Sequence, residues 1–519
     1  MTNPLLESFD VVPFDRIEAK HFLPALEALI NRAKSDIDQI TQNQDPPTFE
    51  NTLLPLEFSS LHLERVSQCF FNLLSAHTSE TLQNEAQHIS PLLSHFKNDI
   101  LMNAPLFERI KSIYNRKETA EITAEGQQLL ERTYKSFCRN GALLTNVQQE
   151  EVRAIDSALA KATLTFGNNV LSETNAFSLP IEDEATLEGL PKSFLARAAQ
   201  KAKEKNLSGY LIGLEFPSYM PVMKFAKNRA LRQKLWLAYG ARAAQNNAQD
   251  NKAIISEIVT LRQRRAEILG YPNHAAFVLE ERMAQSAQNV NDFLSDLAKK
   301  AKPAAERELE ELQNFASEQE NIEQIQPWDQ SFFSEGLKKK RFNWDEEKLK
   351  EFFPLNQVLT GVFSIAKRLY GLRFEQDAAI PVYHNEVTAY RVFDEHGVFK
   401  ALLYCDFHPR PSKRDGAWMT SFKTQHKTSQ ENHRPHISIV CNFTHPDAEG
   451  IALLTFQEVT TLFHEFGHAL HGMLADTNYP SLSGTNVSWD FVELPSQIME
   501  NWCFQQESLS LFAKHYKSQ

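Results

Sequence analysis

Apolar residues recur every three or four positions along most of this chain, the period of helices with one buried face. Phe293, Leu294, Leu297, Ala301, Leu309 and Leu312 mark one long stripe, with Pro303 as a possible kink. Ile254, Ile255, Ile258, Val259, Leu261, Ile268 and Leu269 mark another, stopped by Gly270 and Pro272. Both stripes are expected to face a core. Polar runs at 243–252 and 317–325 are expected to be connections. The period switches to two only late, in Tyr390–Phe393, Phe399–Tyr404 and His436–Phe443, which predict short strands. The polar, basic stretch 409–435 between them is expected to be a loop. The whole predicts a mainly α fold with a small sheet.

A further helix follows the last strand. Thr455-Phe456-Gln457-Glu458 has the form of a capping box. Phe456, Val459, Phe463, Phe466, Leu470 and Met473 then form one apolar stripe. Gln457, Thr461, His464, His468 and His471 form a second, polar stripe. Within it lies His464-Glu465-Phe466-Gly467-His468. Its two histidines, four residues apart, project from one helix face. Two neutral imidazoles and a carboxylate are a common ligand set for a catalytic zinc that keeps a water in the fourth position. Glu465, between them, is the candidate general base for that water.

The third ligand divides the zinc peptidases. The pattern with a third histidine six residues on fails, because Leu474 stands there. A downstream glutamate is the other common solution. Glu493 lies 25 residues after His468, beyond a loop at Ser481–Asn486. Pro495 suits the first turn of a second helix, on which Glu493, Gln497 and Glu500 share a face. Glu500 or Asp490 is the expected acceptor for a ligand imidazole N–H.

These segments resemble the thimet oligopeptidase family of zinc peptidases. The resemblance rests on His464–His471, Gly484-Thr485, Asp490–Gln497 and Glu500-Asn501-Trp502. It extends to Asn3–Leu6, Pro217–Met223, Gln326–Asp329, Lys413–Met419 and Cys441–Phe443, and so spans the chain. It is strongest to the bacterial oligopeptidases of the family, with the dipeptidyl carboxypeptidases second. It implies two helical lobes flanking a deep channel, with zinc near the floor. By motif match it implies His464, His468 and Glu493 as metal ligands and Glu465 as the general base, with His471 outside the ligand set. The implied substrates are short unfolded peptides. Family members are expected to continue past Gln519 with a Gly- and Tyr-rich segment bearing a His and tyrosines that bind substrate. Losing one oxyanion donor costs ~10²–10³ in turnover. The alternatives are therefore a peptidyl-dipeptidase of the same family or a weakly catalytic zinc- and peptide-binding fragment. An aminopeptidase fits less well, since Met499-Glu500-Asn501 follows the zinc helix instead of preceding it.

Composition narrows the picture little further. A net charge of −12 disfavours nucleic acid as a partner. Cys69, Cys138, Cys405, Cys441 and Cys503 show no framework spacing and predict free thiols in a reducing cytoplasm. No apolar run approaches the ~18 residues of a membrane span. A monomer is expected. Three regions are expected: an N-terminal helical region at 1–160, a helical lobe at 161–345 and a zinc-binding region at 346–519. The His436–Phe443 strand is offered as an edge on which an extended peptide docks. Lys413 and Arg414 are read as solvated charges or as contacts for a peptide carboxylate.

Overall fold

A computed structural model describes residues 3–118, 121–343, 345–447 and 449–518. Met1, Thr2 and Gln519 of the expected N- and C-terminal regions lie outside the described residues. Helices dominate, and a five-stranded sheet organises the last third. Its strands are β1 Arg373–Gln376, β2 Thr388–Phe393, β3 Phe399–Asp406, β4 Trp418–Lys423 and β5 His436–Val440. They lie in the order β1-β2-β3-β5-β4. Only the β3–β5 pair is parallel.

The central strands β3 and β5 are buried on both faces, with Asp406, His436 and Ser438 buried among their apolar residues. Alternation along β3 sends Leu402 and Tyr404 to one side and Ala401, Leu403 and Cys405 to the other. On the first side they join helices α1 (Phe22–Gln42) and α2 (Leu61–Ala76). Phe14 sets its edge against Tyr383, Tyr404 and Phe422 there, with centroids 5.3–6.2 Å apart. A long helix, α3 (Asn146–Ala176), runs unbroken through position 160. A separate core at 181–235 contains α4 (Phe216–Phe225) and α5 (Arg229–Gly240).

The second sheet face packs on α8 (Leu355–Tyr370) and α9 (Phe456–Met473). The helices α6 (Lys252–Ile268) and α7 (Ala287–Glu320) complete the middle of the chain. Their stripes depart from expectation. Ile255 and Val259 of α6 and Phe293, Leu294, Leu297 and Leu309 of α7 are exposed; only Leu312, Phe315 and Ala316 of α7 are buried. Helical period marks an apolar face but does not say what that face meets.

Three other expectations are corrected. The His436–Phe443 strand is not an edge: β5 lies between β3 and β4, with all five residues buried. The edge belongs to β4, inside the stretch expected to be a loop. Lys413 is neither solvated nor at a ligand. Its side chain is fully buried 2.7 Å from Asp406, and it also donates to the carbonyls of His408 and Cys441. Burial drops its ammonium to about 8, against the pull of Asp406. Burial would raise Asp406, but Arg410 and Lys413 together hold it below the usual carboxylate range. Arg414 lies over the Trp418 ring. Lys413→Met is expected to cost about 3–5 kcal/mol, because it strands buried charge. A urea unfolding curve at pH 7 checks this; an unchanged midpoint would contradict it.

Candidate metal centre

The helix α9 begins where Thr455 and Glu458 cap one another: Thr455 Oγ1 accepts from the Glu458 amide at 3.1 Å, and Glu458 Oε2 accepts from the Thr455 amide at 2.7 Å. Glu458 also accepts from the Thr444 amide at 2.6 Å, which ties the helix start to the chain leaving β5. Val459, Phe463, Phe466, Leu470 and Met473 are buried, as their spacing requires. The opposite stripe is left to carry His464 and His468, whose rings stand edge to face with centroids 4.9 Å apart.

Glu493 opens a short helix, α10 (Glu493–Glu500), that packs against α9. The contact depends on Gly467. A Cβ there would lie 2.6 Å from both the Pro495 carbonyl oxygen and the Ser496 Cα, which are backbone atoms with no rotamer escape. Only a glycine lets the two backbones meet so closely.

That approach brings the three residues together. Glu493 Oε2 lies 3.2 Å from His464 Nε2 and 3.1 Å from His468 Nε2. One donor atom from each of the three lies within 4.8 Å of the others. Tetrahedral zinc with bonds of roughly 2.0–2.2 Å separates neighbouring donors by about 3.4 Å. The donor set and its spacing therefore fit a metal of this kind.

The surroundings fix the orientation. Glu500 Oε1 sits 2.6 Å from His464 Nδ1, which leaves Nε2 as the inward-facing nitrogen. Of the two acidic candidates for this role, Glu500 fills it; Asp490 instead accepts from the amides of Met283 and Ala284. Ser496 Oγ donates to Glu493 Oε2 at 2.8 Å. His468 Nδ1 is buried without a hydrogen-bond partner among the described residues. Burial depresses His468, which favours the neutral imidazole a metal needs.

Glu465 is 5% exposed, and its Oε2 has no partner among the described residues. Burial, opposed by His464 and reinforced by Glu493, pushes its carboxyl up to about 7. A buried unpaired polar group costs about 1–3 kcal/mol, a burden that functional sites carry. His471 lies on the same face but outside the three-residue cluster.

Two features escaped the sequence. The edge strand β4 was hidden by prolines and basic residues on both sides, although Trp418-Met419-Thr420-Ser421-Phe422 has strand-forming residues. The role of Gly467 had no signal, because a glycine within a helix does not announce the neighbour that requires it.

A histidine pair on one helix facing a carboxylate from the next, within a mainly helical fold, defines a metallopeptidase. A family model described as Peptidase family M3 matches residues 222–519. Dipeptidyl carboxypeptidase of Escherichia coli is 37% identical over 507 residues, which cover 97% of this chain and 74% of that protein. Oligopeptidase A of Haemophilus influenzae is 36% identical over 524 residues, covering 100% of this chain and 77% of that protein. The chain belongs to peptidase family M3. A solved structure titled as a putative oligoendopeptidase F superposes with a TM-score of 0.52 at 13% identity, covering 94% of this chain and 69% of that one. It shares the fold.

Gly467→Ala is expected to destabilise by about 1–3 kcal/mol through overpacking. Gly240→Ala, where an added Cβ meets nothing within 4 Å, should be neutral or stabilising by about 0.5–1 kcal/mol. Thermal melts of the two variants compare them directly; equal melting temperatures would contradict the close-contact role.

Proposed function

We propose that this chain is a zinc-dependent endopeptidase that hydrolyses short unfolded peptides. The observation that carries the reading is the convergence of His464, His468 and Glu493 beside a buried, unpaired Glu465. His464 and His468 would hold zinc through Nε2, and Glu493 through its carboxylate. Zinc bound there would polarise the scissile carbonyl and acidify a water. Glu465 takes the proton from that water and passes it to the leaving amine. Its raised carboxyl suits both halves of the transfer, since a base near neutral pH can accept a proton and give it back. Glu500 holds the His464 ring in place through Nδ1.

The terminal strand β4 supports peptide binding of a particular kind. It is the terminal strand of the sheet and passes α9, with Met419 Cε 3.4 Å from where a Cβ of Gly472 would stand. An extended peptide adds to such an edge through main-chain hydrogen bonds, which do not depend on side-chain identity. Folded domains have few free strands to offer. Among the described residues no helix is long and apolar enough to cross a membrane, and the five cysteines are all unpaired. The unpaired thiols agree with a reducing cytoplasm.

The identity to dipeptidyl carboxypeptidase favours a second reading, release of dipeptides from a free C-terminus. A peptide blocked at both ends separates the two. The chain is expected to cut an internally quenched, end-blocked peptide at an internal bond, and a chelator should abolish the cleavage. Glu465→Gln should keep bound zinc and lose about 10²–10⁴ in turnover. Chelator-resistant cleavage, or a fully active Glu465→Gln variant, would overturn the reading. Cleavage only of peptides with a free C-terminus would favour dipeptide release.

A further inference from the structure

Glu493, Ser496 and Glu500 stand three and four residues apart on α10, so their side chains share one helix face. The two carboxylates reach the histidines of α9. Ser496 takes no part in the proposed proton transfer, yet it is fully buried on that face. Its Oγ lies 2.8 Å from Glu493 Oε2 and 2.8 Å from the Glu493 carbonyl oxygen, with one proton to share between them.

A serine that only satisfied its hydroxyl within its own helix would need the carbonyl alone. The carboxylate contact is additional, and it falls on the oxygen that faces both imidazoles. Oε2 is 3.2 Å from His464 Nε2 and 3.1 Å from His468 Nε2.

Glu493 is the member of the cluster that needs holding. Its side chain is 49% exposed, against 25% for His464 and 12% for His468. The last torsion of a glutamate is broad, so packing that covers half the side chain leaves the carboxylate free to turn. His464 has Glu500 on its outer nitrogen. Among the described residues, Ser496 makes the only hydrogen bond to the Glu493 carboxylate from outside the candidate ligand set.

The serine is itself immobile. Its Cα is one of the two backbone atoms that would lie 2.6 Å from a Cβ at Gly467. The contact between α9 and α10 thus fixes Ser496, and the hydroxyl carries that constraint to the carboxylate.

We propose that Ser496 is a positioning residue for the metal centre: its hydroxyl holds Glu493 Oε2 toward the two imidazoles before an ion binds, and so raises the affinity of the site. It touches neither the ion nor the substrate. The proposal rests on the zinc peptidase reading and deepens it. Outer partners of metal ligands are worth about 10–100-fold in affinity.

The test reads zinc affinity by competition with a chromophoric chelator and makes no use of turnover. Ser496→Ala removes one oxygen and keeps a good helix former, so the metal-free variant should melt close to the wild-type temperature. Its zinc dissociation constant should rise about 10–100-fold. The same substitution is then made in a Glu493→Ala background. With no carboxylate to hold, it should weaken zinc binding no further. An unchanged dissociation constant in Ser496→Ala would overturn the proposal. An equal loss in both backgrounds would also overturn it, since a serine that acts through packing alone gives that result. Zinc binding without peptide cleavage would sink the peptidase reading and leave this comparison of affinities standing. A wild-type chain that binds no zinc would sink both.

Discussion

Glu493 reaches the two histidines because the backbones of α9 and α10 touch at Gly467. A side chain at that position would meet the Pro495 carbonyl and the Ser496 Cα at 2.6 Å. Ordinary side chains at such a contact hold helix axes about 8–10 Å apart, which would draw the carboxylate away from the Nε2 atoms with which it could share a metal ion. The motif on α9 supplies two donors, and the contact supplies the third. Glu500, about two turns further on the same face of the short helix, then reaches His464 Nδ1 at 2.6 Å. One close approach positions both the third candidate ligand and the group that orients the first.

What holds α9 in place to receive this contact is the sheet. The strands β3 and β5 carry apolar side chains on both faces, Leu402 and Tyr404 on one and Leu403, Ile437 and Ile439 on the other, so they must be covered on both. The N-terminal helices cover one side, and α8 with α9 the other. Burial of a large apolar side chain contributes roughly 1.5–3 kcal/mol, so Val459, Phe463, Phe466 and Leu470 anchor the metal helix far more strongly than its polar face opposes. The buried Asp406–Lys413–Arg410 cluster joins the end of β3 to the segment entering β4. Arg410 also donates to the Ala76 carbonyl at the end of α2. The strand edge is thereby fixed to the same scaffold as the metal helix.

Much of this was legible in the sequence, and the reason is local. The capping box at Thr455, the two stripes of α9 and the spacing of His464 and His468 all depend on residues within a few positions of one another. Glu493 and Glu500 were legible as candidates because a helix start can be read around Pro495. The choice of Glu500 over Asp490 was not, since it depends on which way the second helix faces. The long-range features were the least legible. β5 reads as a strand but shows nothing of its neighbours, so its interior place and the edge position of β4 could not be told apart. Lys413 looked solvated because the turn of chain that folds it back onto Asp406, at the end of β3, has no signal in the sequence. The stripes on α6 and α7 were read as core, and their exposure shows that amphipathicity records a capacity for burial and not its partner.

The most direct test of the account is an anomalous difference map at the zinc absorption edge, from crystals of the chain prepared with zinc. The account predicts one strong peak bonded to His464 Nε2, His468 Nε2 and the Glu493 carboxylate, with Glu500 on His464 Nδ1. A peak elsewhere, or one bound by the histidines with Glu493 turned away, would contradict it.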